Sequence, residues 1–137
     1  MSYDDILKFV TQNPVCTLAT CAKNQPHNRA FLTNIINDKI YFTTSSHKNV
    51  GKEILENRTI ELCYLASDFS KMLRIEAKVL IDTDIKLKQK MIDEKEYLKD
   101  FKANDETFIL FTLEEAKAKF WMLSDNMNED KLEIIIF

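Results

Sequence analysis

The feature that most constrains the fold is a series of short segments in which apolar and polar residues alternate. The clearest one contains Leu73, Ile75, Ala77 and Val79, each separated from the next by a polar residue. A period of two is that of a β-strand with one buried face. Strands are predicted over residues 15–20, 26–36, 40–44, 60–66, 71–81, 107–113, 118–123 and 132–137. The chain is therefore predicted to be mainly β.

Short helices and tight turns separate these strands. Ser2 and Asp5 have the spacing of a capping box, and Pro14 ends the helix that they begin. Asn37-Asp38 predicts a tight hairpin between two strands. Further helices are predicted over residues 49–56 and from 83 to about 99. Many strands with short helices between them favour a barrel, formed by one domain over residues 1–137.

The composition argues against several classes of function. The chain has 19 basic and 22 acidic residues and a net charge of −3, whereas nucleic-acid binding usually requires a basic excess. No apolar run approaches the roughly 20 residues of a membrane-spanning helix. The N-terminus lacks the basic and apolar regions of a signal peptide. We therefore expect a cytoplasmic protein with neither a nucleic-acid partner nor a membrane partner.

The cysteines and histidines do not form a recognisable site. Cys16 and Cys21, five residues apart in one predicted strand, are expected on opposite faces of the sheet, and no disulfide framework is predicted. His27 and His47 are far apart in the sequence and lack metal-ligand spacing. We expect no metal site, and no side chain stands out as a catalytic acid or base.

One strand-loop-helix segment has residues suited to phosphate binding. Thr43, Thr44, Ser45 and Ser46 crowd the end of a predicted strand, and Lys48 precedes a predicted helix. Helix N-termini present free N–H groups and a partial positive charge, so hydroxyls and a lysine at this position form a plausible phosphate site. Simple capping of the helix by a serine, with the lysine in solvent, explains the same residues.

Arg29 is the second indication of an anion site. It lies in an otherwise uncharged strand, where a cation is costly unless it meets an anion. The Asn37-Asp38 hairpin is expected to place this strand beside the one that ends at Thr44. Arg29 and the Ser/Lys loop would then converge on one anion from adjacent strands. The alternative is an arginine at a sheet edge that extends into solvent.

In their order and spacing, these segments resemble the pyridoxamine 5′-phosphate oxidase-like family of FMN-binding split β-barrels, over about residues 9–137. The family pattern Pro-x-x-Arg-x-Phe reads Pro26-His27-Asn28-Arg29-Ala30-Phe31 here. Tyr-Phe-x-Thr and the Ser-x-Lys-x loop read Tyr41-Phe42-Thr43-Thr44 and Ser46-His47-Lys48-Asn49. Leu-Arg-Ile-x-Gly-x-Val reads Leu73-Arg74-Ile75-Glu76-Ala77-Lys78-Val79. The resemblance implies a dimeric split β-barrel with FMN at the dimer interface.

The resemblance also implies a set of cofactor-binding residues. Arg29 and Lys48 would bind the FMN phosphate, and the Ser/Thr loop would assist them. The backbone of residues 30–33 and the Thr43-Thr44 pair would lie along the ring and the ribityl chain. Met72 would reach the ring edge, and Trp121, with Phe120, would contribute from the partner subunit, although core packing explains Trp121 equally well. The implied set is Arg29, Ala30, Phe31, Leu32, Thr33, Thr43, Thr44, Ser45, Ser46, His47, Lys48, Met72 and Trp121.

The implied function is that of an FMN-dependent oxidoreductase that uses a small-molecule electron donor and acceptor. A non-catalytic module that stores or senses flavin, or binds heme or a deazaflavin, is the alternative, and a catalytically silent structural dimer is a third. Asn34 stands where pyridoxamine phosphate oxidases carry lysine, and their C-terminal substrate segment has no counterpart. We therefore expect no useful oxidation of pyridoxamine 5′-phosphate, and reduction of a small, flat acceptor instead.

Overall fold

The computed structural model describes residues 1–137 and forms one curled antiparallel sheet with three α-helices. The elements, in chain order, are α1 (Tyr3–Gln12), β1 (Val15–Ala22), β2 (Gln25–Leu32), β3 (Asn34–Ile36), β4 (Lys39–Ser45), α2 (Asn49–Glu56), β5 (Thr59–Leu65), β6 (Met72–Asp82), α3 (Ile85–Glu94), β7 (Phe108–Trp121) and β8 (Ile135–Ile136). The strand order is β2-β1-β5-β6-β7-β4-β3, and β8 pairs with β7. The first and last strands of this order, β2 and β3, are separated by Thr33 alone, so the sheet curls into a half-barrel. The prediction of a mainly β chain with short helices is confirmed.

The core fills the concave face of the curled sheet. A cluster of 21 buried residues includes Leu18, Leu62 and Ile75, which alternate along their strands with more exposed residues. It also includes Phe42 and Phe111, whose strands are buried on both faces at these positions. Helices α1 and α2 add apolar side chains to this cluster. A second cluster of seven buried residues joins α3 and the segment after it to the other face of β4 and β7. The period of two over residues 73–79 therefore identified the buried face of β6.

The predicted hairpin at Asn37-Asp38 is confirmed. Both residues have positive φ, 50° and 60°, as expected for a two-residue turn of type I′. Lys23 and Asn24, between β1 and β2, adopt the same left-handed conformation with φ of 52° and 62°. Asn and Asp tolerate this region better than most residues because their short polar side chains form local hydrogen bonds. This explains how a β-rich chain with one glycine forms its tight turns.

The predicted strand over residues 26–36 is two strands, which changes the expected neighbour of Arg29. The break occurs at Thr33, whose N–H donates to the Pro14 carbonyl at 2.8 Å. Strand β2 pairs only with β1, and β3 alone forms the hairpin with β4. The prediction that the strand of Arg29 lies beside the strand ending at Thr44 is therefore wrong.

Three further boundaries differ from the prediction. The strands predicted over residues 107–113 and 118–123 are the single strand β7, which absorbs a register shift opposite β6 and a positive φ of 50° at Glu115. The last predicted strand is reduced to Ile135–Ile136. Helix α3 begins after the N-cap Asp84 and ends at Glu94, before a separate 3₁₀ turn over residues 96–98. No helix has the length and apolar character needed to cross a membrane.

Candidate functional site

The loop between β4 and α2 leaves the N-terminus of α2 open. The Ser46 N–H donates to the Thr107 carbonyl at 2.9 Å, and the His47 N–H donates to the Ser45 hydroxyl at 3.1 Å. Ser45 therefore orders the loop, while no side chain caps the helix and its first turn contains no acidic residue. Lys48 occupies the N-cap position, is exposed and forms no ion pair. This end of α2 consequently presents a partial positive charge and a free ammonium group.

Gly51 permits this arrangement. A Cβ atom at this position would lie against the backbone carbonyl of Ser45, so any larger residue would push α2 away from the end of β4. The chain has no other glycine. The φ of Gly51 is not positive, so the backbone conformation does not require a glycine at this position. Glycine is required because α2 approaches the end of β4 closely.

Arg29 reaches the same helix, although its strand is not adjacent to β4. Its side chain is 28% exposed and donates from Nη2 to Glu53 Oε2 at 2.6 Å. It also donates from Nη1 to the Thr20 hydroxyl at 3.2 Å. Because Glu53 belongs to α2, the helix brings Arg29 and Lys48 to one region of the molecule. Arg29 is therefore linked to α2 through Glu53 and not through pairing of its strand with β4.

Glu53 is a residue of this site that sequence reasoning missed. Its carboxylate also lies 2.6 Å from His27 Nδ1, between two residues of β2. Burial alone would raise the pKa of Glu53, but the hydrogen bond and charge of Arg29, together with His27, lower it below the ordinary value. A pairing between residues 24 positions apart leaves no local signal in the sequence. Glu53 partly neutralises Arg29, whereas Lys48 at the helix N-terminus is exposed and forms no ion pair.

Two buried polar atoms near β4 have no hydrogen-bond partner. These are Thr44 Oγ1 and Asn34 Nδ2, in residues that are each 6% exposed. Asn34 lies opposite Tyr41 in the hairpin and shares its face of the sheet. Thr44 is three residues after Tyr41 along β4, so it faces the other side of the sheet. A buried polar group without a partner is rare and marks a place where a bound molecule can supply one. Of these two residues, Thr44 is the one that the sequence predicted to assist phosphate binding.

Met72 and Trp121, which were predicted to contact the ring, lie elsewhere on the molecule, on the convex face of the sheet. Met72 faces Trp121 across β6 and β7, and Leu65 faces Met72 across β5 and β6. Leu32 faces Val15 across β2 and β1, and the Cys16–Tyr64 pairing places Val15 beside Leu65. These five side chains form one line across five strands, which we call the apolar row. It lies on the opposite face from Arg29, which shares its side of the sheet with the buried Leu18.

The remaining predicted residues of β2 divide between the two faces. Ala30 is exposed on the convex face, opposite Thr17, whereas Phe31 points inward and packs edge-on against Phe42. Thr33 is buried and its hydroxyl lies 2.7 Å from that of Tyr64. As the terminal strand, β2 has one edge of backbone groups with no strand partner, which suits the predicted backbone contacts.

Phe120 differs from its neighbour Trp121. It points inward and packs edge-on against Phe9, with ring centroids 5.6 Å apart, so it is a core residue and not a residue of the convex face. Cys16 is buried and Cys21 is exposed, which confirms that they lie on opposite faces. No three His, Cys, Asp or Glu side chains are grouped so that they could hold a metal ion.

The curled antiparallel sheet, closed through Thr33 and packed by short helices, defines a split β-barrel protein. The sequence model of the family described as pyridoxamine 5′-phosphate oxidase matches residues 3–124, and the chain belongs to this family. A curated relative, the pyridoxine/pyridoxamine 5′-phosphate oxidase of Ehrlichia ruminantium, is 35% identical over 80 residues. That match covers 56% of this chain and only 41% of the relative.

Solved structures share the fold at low sequence identity. A NimC/NimA family protein from Clostridium acetobutylicum superposes with a TM-score of 0.80 at 19% identity, covering 98% of this chain and 93% of the other. The general stress FMN/FAD binding protein of Xanthomonas citri gives a TM-score of 0.66 at 19% identity, covering 88% and 87%. At these identities the likeness concerns the fold.

Proposed function

We propose that this protein binds FMN as a homodimer and is an oxidoreductase that uses the flavin to reduce a small acceptor. The observation that carries the proposal is the uncapped N-terminus of α2 with the unpaired Lys48 beside it. Membership of the family and the FMN/FAD-binding neighbour of the same fold support a flavin as the ligand. When bound, FMN would supply the electron-transfer chemistry, and the protein would bind and orient it.

The residues around α2 fit the phosphate end of FMN. Lys48 and the free N–H groups of the first helical turn would donate to the phosphate oxygens. Arg29 would add its remaining guanidinium donors while Glu53 and Thr20 hold two of them in place. The unpartnered Thr44 hydroxyl offers a further donor. Each charge-assisted hydrogen bond of this kind is worth about 1.5–3 kcal/mol.

The apolar row supports a homodimer. Val15 is 61% exposed, and Leu32 and Leu65 are each 43% exposed. We expect a second copy to cover this line, with Met72 and Trp121 facing the flavin of the partner. The apolar strand segment 108–111 is buried within its own protomer and is not available to a partner. The apolar row is therefore the stronger argument for association.

The decisive experiment compares FMN with riboflavin, which lacks the phosphate. We expect FMN to bind at least about tenfold more tightly, and Lys48→Met to weaken FMN by about tenfold or more without changing riboflavin binding. Lys39→Met is the matched control, because Lys39 is also exposed and unpaired but lies at the far end of β4. Equal affinities for the two flavins would refute the proposal.

Three further measurements test the rest of the proposal. Light scattering of the flavin-loaded protein should show a dimer, and a flavin-loaded monomer would contradict that part. The absorbance spectrum of the purified protein separates flavin from heme or deazaflavin. Reduction of a quinone or nitroaromatic by reduced nicotinamide separates an enzyme from a flavin store. Rapid oxygen consumption with pyridoxamine 5′-phosphate would show that Asn34 does not prevent the B6 reaction.

A further inference from the structure

Glu53 places a negative charge inside the proposed phosphate site. Its side chain is 12% exposed, and its Oε2 accepts a hydrogen bond from Arg29 Nη2 at 2.6 Å. Its Oε1 lies 2.6 Å from His27 Nδ1. Although burial raises the pKa of Glu53, the hydrogen bond and charge of Arg29, together with His27, lower it below the ordinary value. An ionised carboxylate is therefore built into a site that is proposed to bind an anion.

A phosphate group that bound to Arg29 would lie close to this carboxylate. The guanidinium group is a planar fork of five N–H donors. Glu53 and the Thr20 hydroxyl engage one donor on each terminal nitrogen, so the phosphate oxygens would use the remaining donors of the same group. Those donors are only a few ångström from the Glu53 carboxylate. Two negative charges at this separation repel each other, and the repulsion is stronger at a partly buried site than in bulk water.

The other charged side chains that border this region leave the charge of Glu53 in place. Lys48, at the N-cap of α2, is exposed and forms no ion pair with it. Lys23, Lys52 and Glu56 line the cleft between β2 and α2, are exposed and form no ion pair. Solvent and salt therefore screen their charges. Glu53 is the acidic group that is held against a phosphate-binding side chain.

The two effects of Glu53 on phosphate binding oppose each other. Its hydrogen bond holds Arg29 in place, whereas its charge repels a phosphate monoester, which carries a charge of about −1.5 to −2 at neutral pH. We propose that Glu53 weakens FMN binding, so that the flavin exchanges with solution and is not held as a permanent prosthetic group. FMN is then a diffusible ligand, which the protein takes up and releases. This inference rests on the proposed function, because it requires the FMN phosphate to bind beside Arg29.

The test is Glu53→Gln, which retains a side-chain oxygen to accept the Arg29 hydrogen bond and removes the charge. The variant should bind FMN at least about fivefold more tightly, because the repulsion is gone. Most of this gain should appear as slower release of FMN after dilution, measured by flavin fluorescence. Riboflavin, which has no phosphate, should bind equally to the variant and the wild type. Glu56→Gln removes the same charge three residues later on α2 and should leave the FMN affinity unchanged.

If Glu53 only held Arg29 in place, Glu53→Gln would bind FMN equally or more weakly, and either result would overturn the proposal. Equal tightening by Glu56→Gln would also overturn it. Wild-type protein loaded with FMN should lose the flavin on dialysis against flavin-free buffer, and complete retention would contradict the proposal even if Glu53→Gln misfolds. Wild-type protein that bound FMN no better than riboflavin would refute the proposed phosphate site, and this inference with it. Failure of the Glu53 comparison alone would leave FMN binding intact, so the two failures are distinguishable.

Discussion

Replacing Gly51 by alanine tests whether the close contact between α2 and β4 is required. An ideal Cβ atom would lie 2.7 Å from the Ser45 carbonyl carbon, nearer still to its oxygen, and 3.2 Å from the Ser46 Cα. All three are backbone atoms, so no side-chain rotation can relieve the overlap. Either the helix or the loop over residues 45–48 must move.

The expected cost follows from two opposing effects. Forcing extra volume into a packed region costs about 1–3 kcal/mol. Replacing glycine by alanine within a helix gains at most about 1 kcal/mol, and less near the helix end. We therefore expect Gly51→Ala to lower the free energy of unfolding by about 1–2 kcal/mol. For a chain of this size this corresponds to a fall of a few degrees in Tm.

Urea denaturation of the variant, the wild type and Lys52→Ala measures this effect. Lys52 is the next residue of α2 and is exposed, so its replacement by alanine samples helix propensity without the overlap. Gly51→Ala should also weaken FMN, since the shift displaces the N–H groups proposed to hold the phosphate. A Gly51→Ala protein as stable as Lys52→Ala would refute the argument from close approach.

Two further predictions concern buried polar groups. Thr33→Val removes the 2.7 Å hydrogen bond to the buried Tyr64 hydroxyl and should lower the free energy of unfolding by about 1–3 kcal/mol. The exposed Thr17→Val should cost at most about 0.5 kcal/mol in the same urea titration, and equal costs would contradict the assignment. Because Arg29 and His27 outweigh burial and lower the pKa of Glu53, its pairing stabilises the fold above the ordinary pKa range of Glu. This stability is lost as the pH falls through the lowered pKa of Glu53. Between about pH 6 and about pH 3, the free energy of unfolding of the wild type should therefore fall by more than that of Arg29→Met. If urea unfolding gave the same pH dependence for both proteins, the pairing of Arg29 with Glu53 would not be the cause.

Local features of the fold could be predicted from the sequence. Helix α2 has the bounds expected for it, Asn49–Glu56, and the Asn37-Asp38 hairpin forms as expected. The order and spacing of several motifs indicated the family to which the chain belongs. Each of these depends on neighbouring residues or on motif order, both of which a linear sequence displays.

The same local reasoning failed where a strand end depends on a distant partner. No residue in the stretch 26–36 signals a break, because Thr33 is held by Pro14 and Tyr64, which belong to other elements. The two strands predicted over residues 107–113 and 118–123 are one, because β6 pairs with residues 110–121 across the gap between them, with one register shift. Pairing across the sheet therefore extends the strand through residues 114–117, where no strand was predicted.

The sequence by itself determined that this chain is a β-rich split barrel, and it placed Lys48 at the start of α2 and Arg29 in a strand. Only the tertiary structure brought these residues to the same helix, paired Arg29 with Glu53 and lined up the apolar row across five strands. The physical reason is the range of the interactions. Periodicity, turns and caps act between residues a few positions apart, whereas ion pairs and cross-strand contacts form between residues that only the curled sheet brings together.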